Sequence, residues 1–414
     1  MIKFPQNIII KRFLSLAVGS VAGQAMMFIA LPIATQIYSP ADFGVLAAFS
    51  SLVLLVLPAA CLRLDLAIPI SKDEQEVLGI VLLSFMSATL IAAVYGVVLS
   101  KTSELWGHNN QEVIDSYVWL IVLALWAAAV FSLIQYWAIR LKKFKELAIS
   151  HALRGMTGAA VQIGLGIMGF GVLGLIFGQT IYMGLGALAL TFSVLATKIG
   201  TFKSLTLNRL GSVLKKNWRF PIFSTPEALV NSANTNLPML LIIALVGIDA
   251  GGVLYIAQRL TSIPVGLISG NLSRVYIGEA PERDLDKKLF SFTSKLFFSL
   301  FCSALPVAII IFLFARPIAT SVFGPAWDST AQYLIWLVPA ALLQLSVVPV
   351  ATVLHIRSRQ AIAFLLQVSG FILQIGVIWF CATSGAADPV LGFAVGSALH
   401  YAIYSIVVLL VARD

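Results

Sequence analysis

Apolar residues along this chain occur in long runs separated by short polar segments. Each run holds about 20 residues, which as a helix matches the ~30 Å hydrocarbon core of a bilayer. The pattern predicts twelve membrane-spanning helices, near residues 13–34, 43–62, 77–99, 117–138, 155–173, 174–197, 221–246, 252–273, 296–315, 333–354, 361–382 and 391–411. The break between the fifth and sixth rests on the glycines of GFGVLG at 169–174 alone.

Composition places the chain among membrane proteins. Of its 414 residues, 59% are hydrophobic and 11% are charged, and the mean hydropathy is +0.96. No stretch is polar enough to form a separate soluble domain, so we expect an all-α membrane protein. The basic stretch at 198–219 separates two sets of six spans, which predicts an N-terminal lobe of residues 1–220 and a C-terminal lobe of residues 221–414.

A short sequence echo relates the two predicted lobes. Asp42-Phe-Gly-Val-Leu46 follows the first span, and Asp249-Ala-Gly-Gly-Val-Leu254 follows the seventh. The two segments are six spans apart, an even number, so both helices run in the same direction through the membrane. The echo therefore predicts parallel repeats about an axis along the membrane normal, an arrangement common among transporters. Five residues in a chain this rich in Gly, Val and Leu are also compatible with chance.

The distribution of Lys and Arg predicts the orientation. With the N-terminus in the cytoplasm, all 27 of these residues except Lys101, Arg259 and Arg316 fall at the termini or in cytoplasmic connections. This asymmetry predicts that both termini are cytoplasmic. The formal charge of +9 then faces the anionic inner leaflet, which excludes nucleic acid as the expected partner.

One arginine, Arg259, is predicted to lie inside the membrane. If the eighth span starts near Gly252, Arg259 is about 10 Å below the outer surface, where a charge is costly and tends to face a wet cavity or an anionic partner. Gln258 is beside it, and small or polar residues continue its helical face: Ser262, Gly266, Gly270 and Arg274. The alternative is that Arg259 reaches up to the nearer surface and Arg274 marks the opposite one.

The seventh span carries a polar stripe on an otherwise apolar helix. Glu227, Asn231, Asn234 and Pro238 recur at helical spacing, with Asn236 nearby. Facing lipid, these groups would lack partners, so the stripe is expected to line a cavity, with hydrogen bonding between helices as the alternative. Glu227 is about 28 Å from the outer end of its helix, which makes an ion pair with Arg259 improbable. We regard Glu227 as a candidate for ion coupling.

Further candidate residues lie at the second span and among the glutamines. Arg63 ends the second span on the cytoplasmic side, where its planar guanidinium could meet a pyrophosphate, and Asp65 follows two residues later. An ordinary inside-positive anchor is the alternative for Arg63. Amides suit sugar hydroxyls because they both donate and accept hydrogen bonds, but each glutamine could equally serve helix packing. The glutamines in or beside predicted spans are Gln24, Gln135, Gln162, Gln179, Gln344, Gln367 and Gln374.

Signals for enzymatic chemistry are absent or misleading. Gly164-Leu-Gly166-Ile-Met-Gly169 satisfies a dinucleotide-binding pattern, but it lies in a predicted span without a preceding strand. The four histidines are scattered, the three cysteines have no paired spacing, and no phosphate-binding loop occurs. We therefore expect no catalytic residue, no metal site and no cofactor.

Several segments, in matching order over nearly the whole chain, resemble one known family. They are IYSPADFGVLAAF at 37–49, Arg63-Leu-Asp-Leu-Ala-Ile68, GGVLYIAQRLTSIPVGLISGNLSRVY from Gly251, and residues 314–349 with a Phe-Gly-x-x-Trp motif. The chain resembles the Wzx-type polysaccharide flippases of the multidrug, oligosaccharidyl-lipid and polysaccharide exporter superfamily. It departs from the family at Asp65, where glutamate is more common.

This resemblance implies a fold and a function. The fold would be two six-helix lobes around a central cavity that opens alternately to cytoplasm and periplasm, in a bacterial inner membrane. The function would be flipping of a polyprenyl-pyrophosphate-linked oligosaccharide towards the periplasm, in the biosynthesis of a polysaccharide or of the O-antigen of lipopolysaccharide. Expected partners are that substrate, membrane lipids, and the polymerase and other proteins of polysaccharide assembly.

Two other function classes remain open. An ion-coupled multidrug antiporter on the same fold should place a carboxylate deep in the cavity, whereas the first span has none and the mid-membrane charge is Arg259. A membrane polymerase or ligase generally needs a sizeable periplasmic loop, and the longest outer loop here, about residues 100–116, is short. The positive charge favours an anionic substrate, and the short loop argues against a polymerase or ligase.

Overall fold

The computed structural model describes residues 23–195 and 207–413, in which every regular element is a helix. Expectations for residues 13–22, for Lys3, Lys11 and Arg12, and for residues 196–206 lie outside these ranges. The helices are α1 Gly23–Ile37, α2 Pro40–Ala60, α3 Glu74–Thr102, α4 His108–Arg140, α5 Phe144–Ile167, α6 Val172–Leu195, α7 Leu207–Lys216, α8 Thr225–Leu245, α9 Ile248–Leu285, α10 Leu289–Val322, α11 Asp328–Val347, α12 Val353–Ile356, α13 Gln360–Ser384 and α14 Pro389–Arg413.

The all-α membrane fold is confirmed. Within the described ranges, eight helical segments are long and apolar enough to cross a membrane. Two shorter apolar helical segments are α1 and Val172–Leu188 of α6. The fifth and sixth spans separate at residues 168–171, where Gly169 and Gly171 adopt positive φ angles of 82° and 57°. Such backbone is readily available only to glycine, so the glycines alone were sufficient to predict this turn. The count of twelve spans stays a prediction.

Several helices differ from the expected boundaries, among them α9 and α11. The helix that carries Arg259, α9, starts at Ile248 and runs for 38 residues, well past the expected end at 273. Its second half contains Gly270, Gly278 and Pro281, yet the helix continues through them beyond the apolar run. The tenth span, expected to reach 354, ends as α11 at Val347. Pro349 follows, and it has no N–H with which to continue the helical hydrogen bonds.

The described residues form two compact units. The first comprises the described residues up to Tyr38 together with Val45–Leu240, and the second comprises Ser39–Gly44 and the described residues from Leu241 onwards. In the first unit α4 packs on α3 and α6, and α5 packs on α6. In the second unit α11 packs on α9, α10 and α14, and α13 packs on α14. The lobe boundary between residues 220 and 221 stays a prediction.

The two segments of the sequence echo pack directly against each other in the second unit. A Cβ added to Gly44 would overlap the carbonyl oxygen of Ile248, and one added to Gly252 would overlap that of Pro40. Each glycine thus faces the backbone four residues before the other, a reciprocal contact of the kind a two-fold axis produces. The echo therefore has a physical cause, since each helix needs a glycine where the other approaches.

This close approach predicts a stability loss for a single added methyl group. Gly252→Ala should destabilise the protein by about 1–3 kcal/mol, because the obstacle is a backbone carbonyl that cannot rotate away. Gly266→Ala on the same helix is the matched control, since a Cβ there meets nothing within 4 Å. Thermal unfolding of the purified proteins compares the two variants. Equal unfolding temperatures would mean that the contact does not hold these helices together.

Candidate functional site

The predicted intramembrane arginine is held by a tyrosine one turn before it. Arg259 lies 11 positions after the start of α9, or ~16 Å along the helix axis, because the helix begins four residues earlier than expected. Its Nη2 donates a hydrogen bond to the Tyr255 hydroxyl at 2.6 Å, and its guanidinium carbon is 5.0 Å from the centre of the Tyr255 ring. The phenol oxygen and the ring face both attract the cation, so Tyr255 fixes the orientation of the guanidinium.

Aromatic side chains support this tyrosine from the other family motifs. The Phe43 ring centre is 6.4 Å from that of Tyr255 and 5.3 Å from that of Trp327, which it meets edge to face. Phe43 and Trp327 are almost completely buried. Three of the segments that resemble the flippase family, with Phe43, Tyr255 and Trp327, therefore meet at one place in the second unit. Sequence motifs alone did not indicate that they would.

The helical face that continues from Arg259 is open. Ser262, Gly266, Gly270 and Arg274 are exposed, and Gln258 is half-buried. A Cβ at Gly266 or Gly270 would meet nothing within 4 Å. The structure thus places Ser262, Gly266, Gly270 and Arg274 on an exposed part of α9.

The polar stripe of α8 divides into residues with different surroundings. Glu227 and Asn231 are exposed, Asn234 is half-buried, and Pro238 is buried. The Oδ1 atom of Asn234 is buried and has no hydrogen-bond partner among the described residues. A buried amide oxygen left in this state costs about 1–3 kcal/mol, which a ligand hydroxyl could recover.

Nearby Asn236 serves helix packing instead. Its Nδ2 donates to the carbonyl oxygen of Ser232 at 2.9 Å, and the Ser232 hydroxyl donates to the carbonyl oxygen of Leu54 on α2 at 2.6 Å. Gln162, another candidate, is buried and donates from Nε2 to the carbonyl oxygen of Leu175 at 3.2 Å. Gln162 thus joins α5 to α6, which is the helix-to-helix hydrogen bonding considered as the alternative, whereas the bond of Asn236 stays within α8 and reaches α2 only through Ser232. Gln24 is half-buried in α1.

Arg63 and Asp65 lie in a strained turn between α2 and α3. Leu62 and Arg63 have φ angles of 50° and 55°, a backbone region that costs a non-glycine residue roughly 1–3 kcal/mol and recurs at functional sites. The side chain of Asp65 is buried, and its Oδ2 accepts a hydrogen bond from the Ser132 hydroxyl at 2.9 Å. Asp65 Oδ1 and Arg63 Nε are buried without a hydrogen-bond partner among the described residues.

Burial dominates the electrostatics of Asp65. Removal of its carboxylate from water raises its pKa above the usual range, and the hydrogen bond from Ser132 and the charge of Arg63 offset this only in part. A carboxyl group with a raised pKa can take up and release a proton closer to neutral pH. This turn therefore combines a cation with a carboxyl that can change its charge.

Two further arginines of the first unit, Arg140 and Arg154, were not predicted from the sequence as candidate functional residues. Arg140, in the basic run at the end of α4, holds the same turn: its Nη1 donates to the carbonyl oxygens of Ser71 and Ile68, and its Nη2 pairs with Glu74 at 3.3 Å. Arg154 lies ten residues inside α5, with its guanidinium carbon 4.3 Å from the ring centre of Phe131 and 4.5 Å from that of Tyr182. The expected span began at residue 155, so Arg154 was counted with the cytoplasmic connection.

The comparison with known proteins decides the family. The model of a family described as "Polysaccharide biosynthesis protein" matches residues 14–332. The chain belongs to this family. The resemblance drawn from the sequence motifs is thereby confirmed. Over 204 residues, this polysaccharide biosynthesis protein is 27% identical to the "Teichuronic acid biosynthesis protein TuaB" of Bacillus subtilis (strain 168). That match spans 48% of this chain and 40% of the relative.

Solved structures show the same fold at low identity. The "Lipid II flippase MurJ, inward closed conformation" has a TM-score of 0.74 and 15% identity, covering 98% of this chain and 88% of MurJ. The "Inward-facing conformation of a multidrug resistance MATE family transporter of the MOP superfamily" has a TM-score of 0.66 and 17% identity, covering 94% of each chain. The chain is therefore a multi-pass membrane protein that shares the fold of these two structures.

Proposed function

We propose that the protein flips a polyprenyl-pyrophosphate-linked oligosaccharide from the cytoplasmic to the periplasmic leaflet of a bacterial inner membrane. The observation that carries the proposal is the contact of Arg259, a cation in a predicted membrane span, with Tyr255, in a chain of the polysaccharide biosynthesis family. A permanent positive charge in that position suits an anionic diphosphate that must leave water. It does not suit a cationic drug.

In this proposal the candidate residues divide by chemistry. Arg63 meets the pyrophosphate as it enters from the inner leaflet, and Arg259 binds it within the membrane. Amide groups that donate and accept hydrogen bonds would contact the sugar hydroxyls; these are Asn231, Asn234, Gln24 and Gln258. The unpaired, buried Oδ1 of Asn234 supports its assignment. The protein itself makes and breaks no covalent bond, so no catalytic residue, metal or cofactor takes part.

Alternating access would move the substrate across the membrane. The lobes predicted at residues 1–220 and 221–414 would rock about a central cavity, closing it to the cytoplasm before opening it to the periplasm. Asp65 and Glu227 are the candidates for coupling this motion to an ion. The raised pKa of Asp65 favours a proton at that position. A polymerase and other polysaccharide-assembly proteins would consume the product in the periplasm.

Depletion of the protein in its bacterium tests this function. The lipid-linked oligosaccharide should accumulate in the cytoplasmic leaflet while surface polysaccharide falls, because synthesis continues and translocation stops. Thin-layer separation of lipid-linked sugars, with surface polymer measured in the same cells, provides the readout. Normal surface polymer together with a new sensitivity to cationic drugs would instead support the antiporter alternative.

The predicted orientation is tested by cysteine labelling in intact cells. Cysteines at Glu104 and Ser329 should react with a membrane-impermeant thiol reagent, and a cysteine at Ser212 should react only after lysis. All three positions are exposed in the structure, so failure to react reports the side of the membrane rather than burial. Labelling of Ser212→Cys in intact cells would show that the orientation, and with it the direction of transport, is opposite to the predicted one.

A further inference from the structure

The segment that joins the two predicted lobes has one face attached to the protein and one face exposed. On the attached side, Lys216 Nζ pairs with Glu76 Oε2 at 2.7 Å and Asn217 Nδ2 donates to Glu76 Oε1 at 3.2 Å. One turn earlier, Val213 packs against Gly79 of α3. These contacts hold α7 beside the first turns of α3, at the level where the apolar run of that span begins.

The exposed side carries an apolar row and a basic row. Leu214, Trp218 and Ile222 follow at intervals of four residues and are 40%, 43% and 57% exposed. Lys215 and Arg219, each one position later, form a second exposed row beside the first. Apolar and aromatic side chains next to basic ones are typical of helices that lie in the plane of a membrane surface.

The charge of this segment selects among membrane surfaces. No aspartate or glutamate occurs between Glu146 and Glu227, so nothing in this stretch balances Lys215 and Arg219. Glu76, the acidic residue of the docking contact, binds Lys216 and Asn217. A surface with this charge attracts anionic headgroups and gains little from zwitterionic ones.

We propose that α7 and the turn after it form a binding surface for anionic phospholipids. Lys215 and Arg219 contact the headgroup phosphates, and Leu214, Trp218 and Ile222 insert among the upper acyl-chain carbons. The segment between the predicted lobes is thereby fixed to the membrane on one side and to α3 on the other. This inference does not depend on what the protein transports.

Lipid-specific quenching of Trp218 tests the proposal on the full-length protein. The protein is placed in phosphatidylcholine nanodiscs that contain a minority of brominated phosphatidylglycerol, or the same fraction of brominated phosphatidylcholine. The signal of Trp218 is obtained as the difference between wild type and Trp218→Phe. Each basic side chain near an anionic membrane surface strengthens binding to that surface about fivefold. The brominated anionic lipid should therefore quench Trp218 several-fold more strongly than brominated phosphatidylcholine does.

Two controls make the result specific. Trp379 on α13 is 56% exposed, and its signal, obtained with Trp379→Phe, should be quenched equally by both lipids. Replacement of Lys215 and Arg219 by Gln should abolish the preference at Trp218, without affecting folding, since both side chains are exposed. Equal quenching of Trp218 in the wild type would show membrane contact without charge recognition and would overturn the proposal. Absence of quenching by either lipid would overturn it as well.

Discussion

Replacement of Arg259 by Ala should abolish surface-polymer export while the protein remains in the membrane at its normal level. Loss of an intramembrane charge does not hinder insertion, but it removes the attraction for a diphosphate that has left water. Truncation of one partner of such a contact typically costs about 2–5 kcal/mol, so substrate affinity should fall on the order of 30-fold or more. Surface polymer is measured together with membrane protein level.

Further variants separate binding from a structural role. Arg259→Lys should be intermediate, because an ammonium keeps the charge but loses the planar donor pair. Tyr255→Phe keeps the ring under the guanidinium and removes the 2.6 Å hydrogen bond, so export should fall less than in Arg259→Ala. Arg283→Ala, at the exposed end of the same helix, is the control and should export normally. Normal export by a well-expressed Arg259→Leu variant would contradict a role in substrate binding.

Replacement of Asp65 by Asn should remove the pH dependence of transport. Asn keeps the size of the side chain and can still accept the hydrogen bond from Ser132, but it cannot exchange a proton. If Asp65 takes up a proton in each cycle, the transport rate of the variant should fall about tenfold or more, as expected for the loss of a proton-transferring group. Glu227→Gln provides the comparison, because Glu227 is the other candidate for ion coupling and its side chain is exposed on α8.

The same Asp65→Asn variant makes a prediction for stability. The folded protein holds the proton of Asp65 more tightly than the unfolded chain does, because burial raises the pKa of this carboxyl. Wild-type stability should therefore fall as the pH rises from the ordinary aspartate pKa towards the raised one, by at most about 1.4 kcal/mol per pH unit. The Asn variant should lack this slope. Parallel pH profiles of unfolding temperature for the two proteins would contradict a buried, proton-holding Asp65.

The sequence predicted much of the fold because membrane helices are set by apolar runs that a reader can count. The helix pattern, the glycine turn at residues 168–171 and the family all followed from local features. The end of α11 before Pro349 has a local cause, the missing N–H of proline, but the apolar run continues past it and hid this boundary. The extension of α9 to Leu285 did not follow, since a helix outside the membrane needs no apolar residues.

The candidate sites depend on contacts that no local pattern contains. Arg259 was found because a charge is rare inside an apolar run, and its partner Tyr255 lies one turn before it on the same helix. The support from Phe43 and Trp327 comes from two distant segments. Asn236 carries the same amide as Asn234, yet one binds Ser232 and the other has a buried, unpaired oxygen. Arg154 was missed because its aromatic partners lie on neighbouring helices.

Reconstitution tests the proposed flipping most directly. Purified protein is placed in liposomes that carry a polyprenyl-pyrophosphate-linked oligosaccharide, and a membrane-impermeant glycan-modifying enzyme reports the fraction in the outer leaflet over time. Wild-type protein should make the inner-leaflet substrate accessible much faster than protein-free liposomes do, and Arg259→Leu should remain at the protein-free rate. Equal rates for wild-type protein and protein-free liposomes, with the protein folded and a transmembrane proton gradient present, would contradict flipping by this chain.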